Sequence, residues 1–166
     1  MRVAIFRQHK GDPLCFAISA LMRTGYSHAA LEVEEGEIVE AFWPCVRRRK
    51  LDPSELPGID FFEIAGLDAV KAQLIREYCE ARIGAKARYS IWNLFRFLPW
   101  FRFFFGEAKD DGKTSAVFCS QFVFDALRSA GIPLFSALTN SWEVDPGHLA
   151  WSPLLIKSSA ELALAS

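Results

Sequence analysis

Apolar and polar positions along this chain follow two periods, and the switches between them mark out its elements. Arg2 to Phe6 is a short apolar run that reads as a strand, stopped by polar residues and by Gly11-Asp12-Pro13. Asp12 is suited to cap a helix with Pro13 at its first position. Leu14, Ala17, Ile18 and Leu21 then recur at helical spacing up to Thr24-Gly25. The segments from His28 to Val33 and from Glu37 to Trp43 read as the two strands of a hairpin, and Asp60 to Ile64 as a further strand beyond turns at Pro53 and Pro57. Asp68 opens a second helix whose expected apolar face is Val70, Leu74, Tyr78 and Ala81, closed by Gly84. A third helix starts at Cys119 and runs to Ala130, with Gly131 at its end and Pro133 just beyond. Strands concentrated in the first half with helices around them predict an α+β domain on an antiparallel sheet. Without an internal linker, residues 1–166 form one domain.

The hairpin allows a sharper expectation. A two-residue loop at Glu35-Gly36 would force Glu35 to positive φ, whereas a three-residue loop Glu34-Glu35-Gly36 puts only Gly36 in the left-handed region. That register sets Ala30 opposite Glu40 and His28 opposite Phe42. Side chains alternate across a strand, so His28, Ala30, Glu32, Ile38, Glu40 and Phe42 share one face. Ala29, Leu31, Val33, Val39, Ala41 and Trp43 form the other, more apolar face. Glu40 then lies diagonally across from His28, at a Cα separation of roughly 7–8 Å that the two side chains can bridge.

Composition narrows the chemistry. Of 166 residues, 51% are hydrophobic and 23% charged, which is the make-up of a globular chain. The net charge of -1 offers no general attraction for nucleic acid, and the basic run Arg47-Arg48-Arg49-Lys50 reads as a solvated face. Cys15, Cys45, Cys79 and Cys119 are too widely spaced for a zinc knuckle, so no metal or other cofactor is expected. The stretch from Met1 to Phe6 is too short for a secretory signal and lacks its cleavage site. Cytoplasmic synthesis with free thiols is the expectation, and carriage in a phage particle is a further setting.

The pairing that carries chemistry is Cys119 with His28. A thiol of ordinary pKa, roughly 8.5, holds little thiolate at neutral pH, and both a helix N-terminus and a nearby imidazolium stabilise the anion. Glu40 is the third candidate, accepting the second ring N–H and fixing the tautomer of His28, with Glu32 as its competitor on the same face. Cys15 and Cys79 read as packing, and His9 and His148 as surface residues. One stretch stands apart: residues 91–105 (IWNLFRFLPWFRFFF) hold eight aromatic residues in fifteen. Arg96, Pro99 and Arg102 interrupt it and it is too short to span a bilayer. It reads as core and cleft wall, or else as a surface docking on a membrane or protein partner.

Tyr26-Ser27-His28-Ala29-Ala30-Leu31, then Gly36-Glu37-Ile38-Val39-Glu40-Ala41, and much later Phe118-Cys119-Ser120-Gln121-Phe122-Val123 together resemble the circularly permuted papain-like amidases. These are the permuted branch of the NlpC-type cysteine hydrolases, related in layout to lecithin:retinol acyltransferase-like enzymes. In that branch the histidine strand precedes the cysteine helix, as it does here, and the likeness spans roughly Val3 to Ile132. Gly84 to Tyr89 also looks like the glycine-to-tyrosine segment that precedes the cysteine in such proteins, with Ser90 where an aspartate is often found. The resemblance implies a nucleophile helix packed on an antiparallel sheet, with Cys119 as nucleophile, His28 as base and Glu40 as the orienting carboxylate. It also implies a peptide or acyl substrate, with cell-wall amide as the family's example. A module that retains the fold without catalysis and docks through residues 91–105 is the alternative.

Overall fold

The protein is represented by a computed structural model that describes residues 1–7, 24–85, 87, 117–135 and 139–158, with Trp142 described by its backbone alone. The helix expected around Leu14 to Leu21, His9 and Cys15, the residues around Tyr89 and Ser90, and the aromatic stretch 91–105 lie outside the described residues.

The described chain is a mixed α and β structure on a six-stranded antiparallel sheet. Its strands are β1 (Arg2–Arg7), β2 (Tyr26–Glu34), β3 (Glu37–Phe42), β4 (Cys45–Lys50), β5 (Ile59–Ile64) and β6 (Leu155–Lys157). Their spatial order is β4-β3-β2-β1-β5-β6. A 3-10 turn, Pro53–Gly58, separates β4 from β5. It is closed by a capping box in which Asp52 accepts from Ser54 N–H and Glu55 accepts from Asp52 N–H. The helices are α1 (Ala69–Gly84), α2 (Cys119–Ser129) and the short α3 (Pro146–Ala150).

In the hairpin, Leu31 pairs with Val39 and Glu32 with Ile38, the register expected from Gly36. The closure differs in one respect. Glu34 pairs with Glu37, with the shift absorbed between Glu32 and Glu34, so the loop proper is Glu35-Gly36. Gly36 takes φ 71°, a left-handed conformation that costs a residue without Cβ little. The face assignment follows this register. Ala29, Leu31, Val33, Val39 and Ala41 join Val3, Ile5, Phe62 and Ile64 in the main core, which α2 covers with Phe122, Val123, Ala126 and Leu127. Ala30 and Ile38 lie on the opposite face with Ala4, Ile59 and Phe61, in a smaller apolar cluster. The middle of the sheet is therefore apolar on both faces, and Val3, Ala4 and Ile5 of β1 are wholly buried. Trp43 departs from expectation: β3 ends at Phe42, and Trp43 stands exposed in the turn beyond it.

Helix α1 starts where Asp68 accepts from Lys71 N–H at 2.8 Å, the cap the sequence predicts. Of the predicted inward face only Tyr78 packs against the core, beside Phe122. Val70 is 71% exposed and Leu74 41%, while Ile75 and Cys79 are the residues buried against the core. Helix α2 ends as expected, with Gly131 at φ 72°.

Candidate active site

Three elements converge on His28. It sits near the start of β2, opposite Phe6 of β1, with its side chain on the face shared by Ala30 and Glu40. The rings of Phe6 and Phe42 flank the imidazole, with centroids at 5.2 and 5.9 Å, and leave its side chain only 13% exposed. Glu40 reaches diagonally across the β2–β3 pair and sets Oε2 2.9 Å from His28 Nε2. This contact occupies Nε2 and leaves Nδ1 as the nitrogen for the sulfur.

Cys119 is the first residue of α2, buried, and hydrogen-bonded to His28. Phe118 at the N-cap has no side chain able to cap, so the first-turn N–H groups have no side-chain acceptor there. The backbone amides of Ala29 and Ser120 donate towards the Cys119 sulfur. The neighbouring Ser120 hydroxyl donates to the Val144 carbonyl at 2.7 Å, which ties the start of the helix to the chain leading into α3.

The electrostatics of the pair are set by proximity working against burial. Burial alone would raise the Cys119 pKa. The charge and hydrogen bond of His28, then the N–H groups of Ala29 and Ser120, reverse this and bring it below the ordinary thiol value. Burial likewise favours neutral His28, but the Cys119 sulfur and then Glu40 outweigh it and push its pKa up to about 9. The arrangement favours a thiolate–imidazolium pair at neutral pH. Cys79 is the opposite case: it is buried on the inward face of α1, and desolvation pushes its pKa up to about 12.

Glu40 is more tightly held than the sequence suggested. Its Oε1 accepts from Arg47 Nε and from Arg49 Nε, each at 2.9 Å, and Arg47 Nη2 is in ion-pair contact with it at 2.8 Å. Arg47 and Arg49 are alternate residues of β4, and Arg47 pairs directly with Glu40 across the β3–β4 ladder. Burial would raise the Glu40 pKa. His28, and then Arg49 and Arg47, hold it at about 2. Arg49 also binds Glu55 through two bonds of 2.6 and 3.0 Å. The basic run is thus not a single solvated face. Arg48 turns to the opposite side, to Glu37 and to Glu80 of α1.

Glu32, the competitor for the third position, is engaged elsewhere: it takes Arg2 Nη2 at 2.9 Å and the Gly36 N–H at 3.2 Å. His148 is exposed, as expected, and belongs to the capping box of α3 with Asp145. Among the described residues no group of three His, Cys, Asp or Glu side chains is placed to hold a metal ion. None of the described helices is long and apolar enough to cross a membrane. In comparisons with known proteins, no protein-family model matches the chain and no curated protein matches it.

Proposed function

We propose that this protein is a cysteine-dependent hydrolase of the circularly permuted papain-like type, cleaving an amide or ester bond through a thioacyl intermediate. The observation that carries the reading is Cys119 at the start of α2, hydrogen-bonded to His28, whose other ring nitrogen lies 2.9 Å from Glu40. A thiolate, an imidazolium and a buried carboxylate in that order supply the nucleophile, the proton donor and its orienting group.

The reaction follows from these roles. The Cys119 thiolate attacks the carbonyl carbon, and the charge moves to the carbonyl oxygen. The backbone N–H of Cys119 is the candidate donor to that oxygen. Collapse expels the amine or alcohol, which leaves with the proton from His28 Nδ1, and the acyl group stays on sulfur. Water then attacks the thioester while His28 takes its proton, and Cys119 departs as thiolate with the imidazolium restored. A different second nucleophile in place of water makes the same site an acyltransferase. A peptide or acyl compound is the proposed substrate class, with cell-wall amide as the example the family resemblance supplies.

The test is thiol reactivity resolved by site. Iodoacetamide labelling followed by peptide mass spectrometry should modify Cys119 first, and its rate should persist below pH 7, where ordinary thiols are protonated. Cys79 should label only on unfolding. Uniformly slow labelling, or Cys45 reacting ahead of Cys119, would remove the support for a thiol catalyst.

A further inference from the structure

We propose that Arg47 and Arg49 are positioning residues of this site, clamping Glu40 so that its free oxygen is presented to His28 in a single orientation. The inference rests on the cysteine hydrolase reading for the reaction it serves, though the clamp itself concerns only His28 and Glu40.

The division of the two carboxylate oxygens carries the argument. Oε1 accepts from the Nε–H groups of Arg47 and Arg49, both at 2.9 Å, with Arg47 Nη2 in ion-pair contact at 2.8 Å, while Oε2 meets His28 Nε2. A glutamate has three side-chain torsions and would otherwise sample several rotamers, so fixing one oxygen on two cations fixes the other in space. Each arginine is itself restrained. Arg49 spends its remaining nitrogens on both oxygens of Glu55, which the capping box with Asp52 holds in turn. The Arg47 guanidinium lies 4.3 Å from the centroid of the Phe42 ring, and that ring also packs against His28. The ion-pair partners of Glu40 among the described residues are His28 on β2 and Arg47 and Arg49 on β4, with Glu55 behind Arg49.

The clamp has a chemical purpose. A glutamate buried to 1% exposure would, by desolvation, tend to take up a proton and share it with the imidazole. Two guanidiniums keep it anionic, so it accepts from Nε2–H and never competes for the proton. Neutral His28 is then confined to the tautomer with its proton on Nε2 and its lone pair on Nδ1, towards Cys119. A salt bridge that merely joined β3 to β4 would leave the tautomer of His28 to chance.

The experiment compares the intact protein with Arg47→Gln, Arg49→Gln, the double variant and Arg49→Lys, using 15N-labelled histidine. In the parent, the ring nitrogens of His28 above its titration midpoint should report the Nε2–H tautomer alone. In the double variant the tautomers should mix, and Cys119 alkylation at pH 6 should slow about tenfold or more, with an intermediate loss in Arg49→Lys. Arg47 is 42% exposed, so the Arg47→Gln single variant is the fallback if the double variant does not fold; it should mix the tautomers partially. A folded Arg47→Gln or double variant that keeps one tautomer and the parental alkylation rate overturns the proposal. If Cys119 in the parent proves unreactive, the hydrolase reading fails, and the tautomer result still decides the clamp.

Discussion

At the scale of single residues, the site is a chain of charge running from the Cys119 sulfur through His28 and Glu40 to Arg47 and Arg49. Replacing Glu40 by Gln removes the carboxylate between His28 and the two guanidiniums. The pKa of His28 should drop, the thiolate should lose its partner, and turnover should fall by roughly ten- to a thousand-fold, the range of acid–base contributions. Alkylation by chloroacetate, an anion drawn to the imidazolium, reads this directly. In the parent its rate should decline as His28 loses its proton at about 9, and in Glu40→Gln the decline should begin at lower pH. Glu32→Gln should leave the profile unchanged, because Glu32 serves Arg2 and the hairpin turn. The nearness of His28 and Glu40 was legible in the sequence because one glycine set the register and alternation did the rest. The arginine clamp was not legible. A run of four basic residues reads as solvated until β4 is known to pair with β3, at which point its alternation turns Arg47 and Arg49 towards Glu40 and Arg48 away.

At the scale of elements, the starts and stops of α1 and α2 were readable from caps and glycines. The orientation of α1 was not. Its apolar residues are spread around the cylinder, so several faces were open to burial, and the choice fell to its packing against α2 and β4. Ile75 and Cys79 face in, and Val70 faces out. Ile75→Ala should accordingly cost about 2–5 kcal/mol, as for other buried large-to-small changes. Val70→Ala should stay within about 0.5 kcal/mol, as surface changes do. Urea denaturation of the two variants checks this; equal losses would mean that α1 is rotated relative to the face described above.

At the scale of the whole molecule, a second buried carboxylate ties the sheet together across four strands. Asp60 of β5 binds Arg7 of β1, Tyr26 of β2 at 2.7 Å and Lys157 of β6 at 2.8 Å. Burial would raise its pKa, but the bonds from Arg7, Lys157 and Tyr26 bring it down to about 2. Glu40 is held at about 2 as well. A carboxylate whose pKa is lower in the folded than in the unfolded chain stabilises the fold above its unfolded value. That stability is lost as pH falls towards the folded value. The unfolded values are near 3.8 and 4.5, so the melting temperature should drop steadily between about pH 4.5 and pH 2. Thermal melts over that range should be flatter in Asp60→Asn than in the parent. An identical slope would show that Asp60 contributes nothing to the acid transition. The mixed α and β class and the antiparallel sheet were legible from the two periods. The placing of β6 beside β5 was not, because a three-residue strand carries too little pattern to be seen.

The histidine, the carboxylate and the arginines all come from three consecutive strands, β2 to β4, joined by short turns, whereas the sulfur arrives on a helix from far along the chain. Nothing in the sequence around Cys119 carries a charge that would activate it, and its neighbours Phe118, Ser120 and Gln121 are uncharged. An unfolded chain therefore carries an ordinary thiol, and the lowered pKa of Cys119 exists only where α2 is packed against β2 and β3. The perturbed thiol is in this sense a property of the assembled fold and of no single stretch of chain.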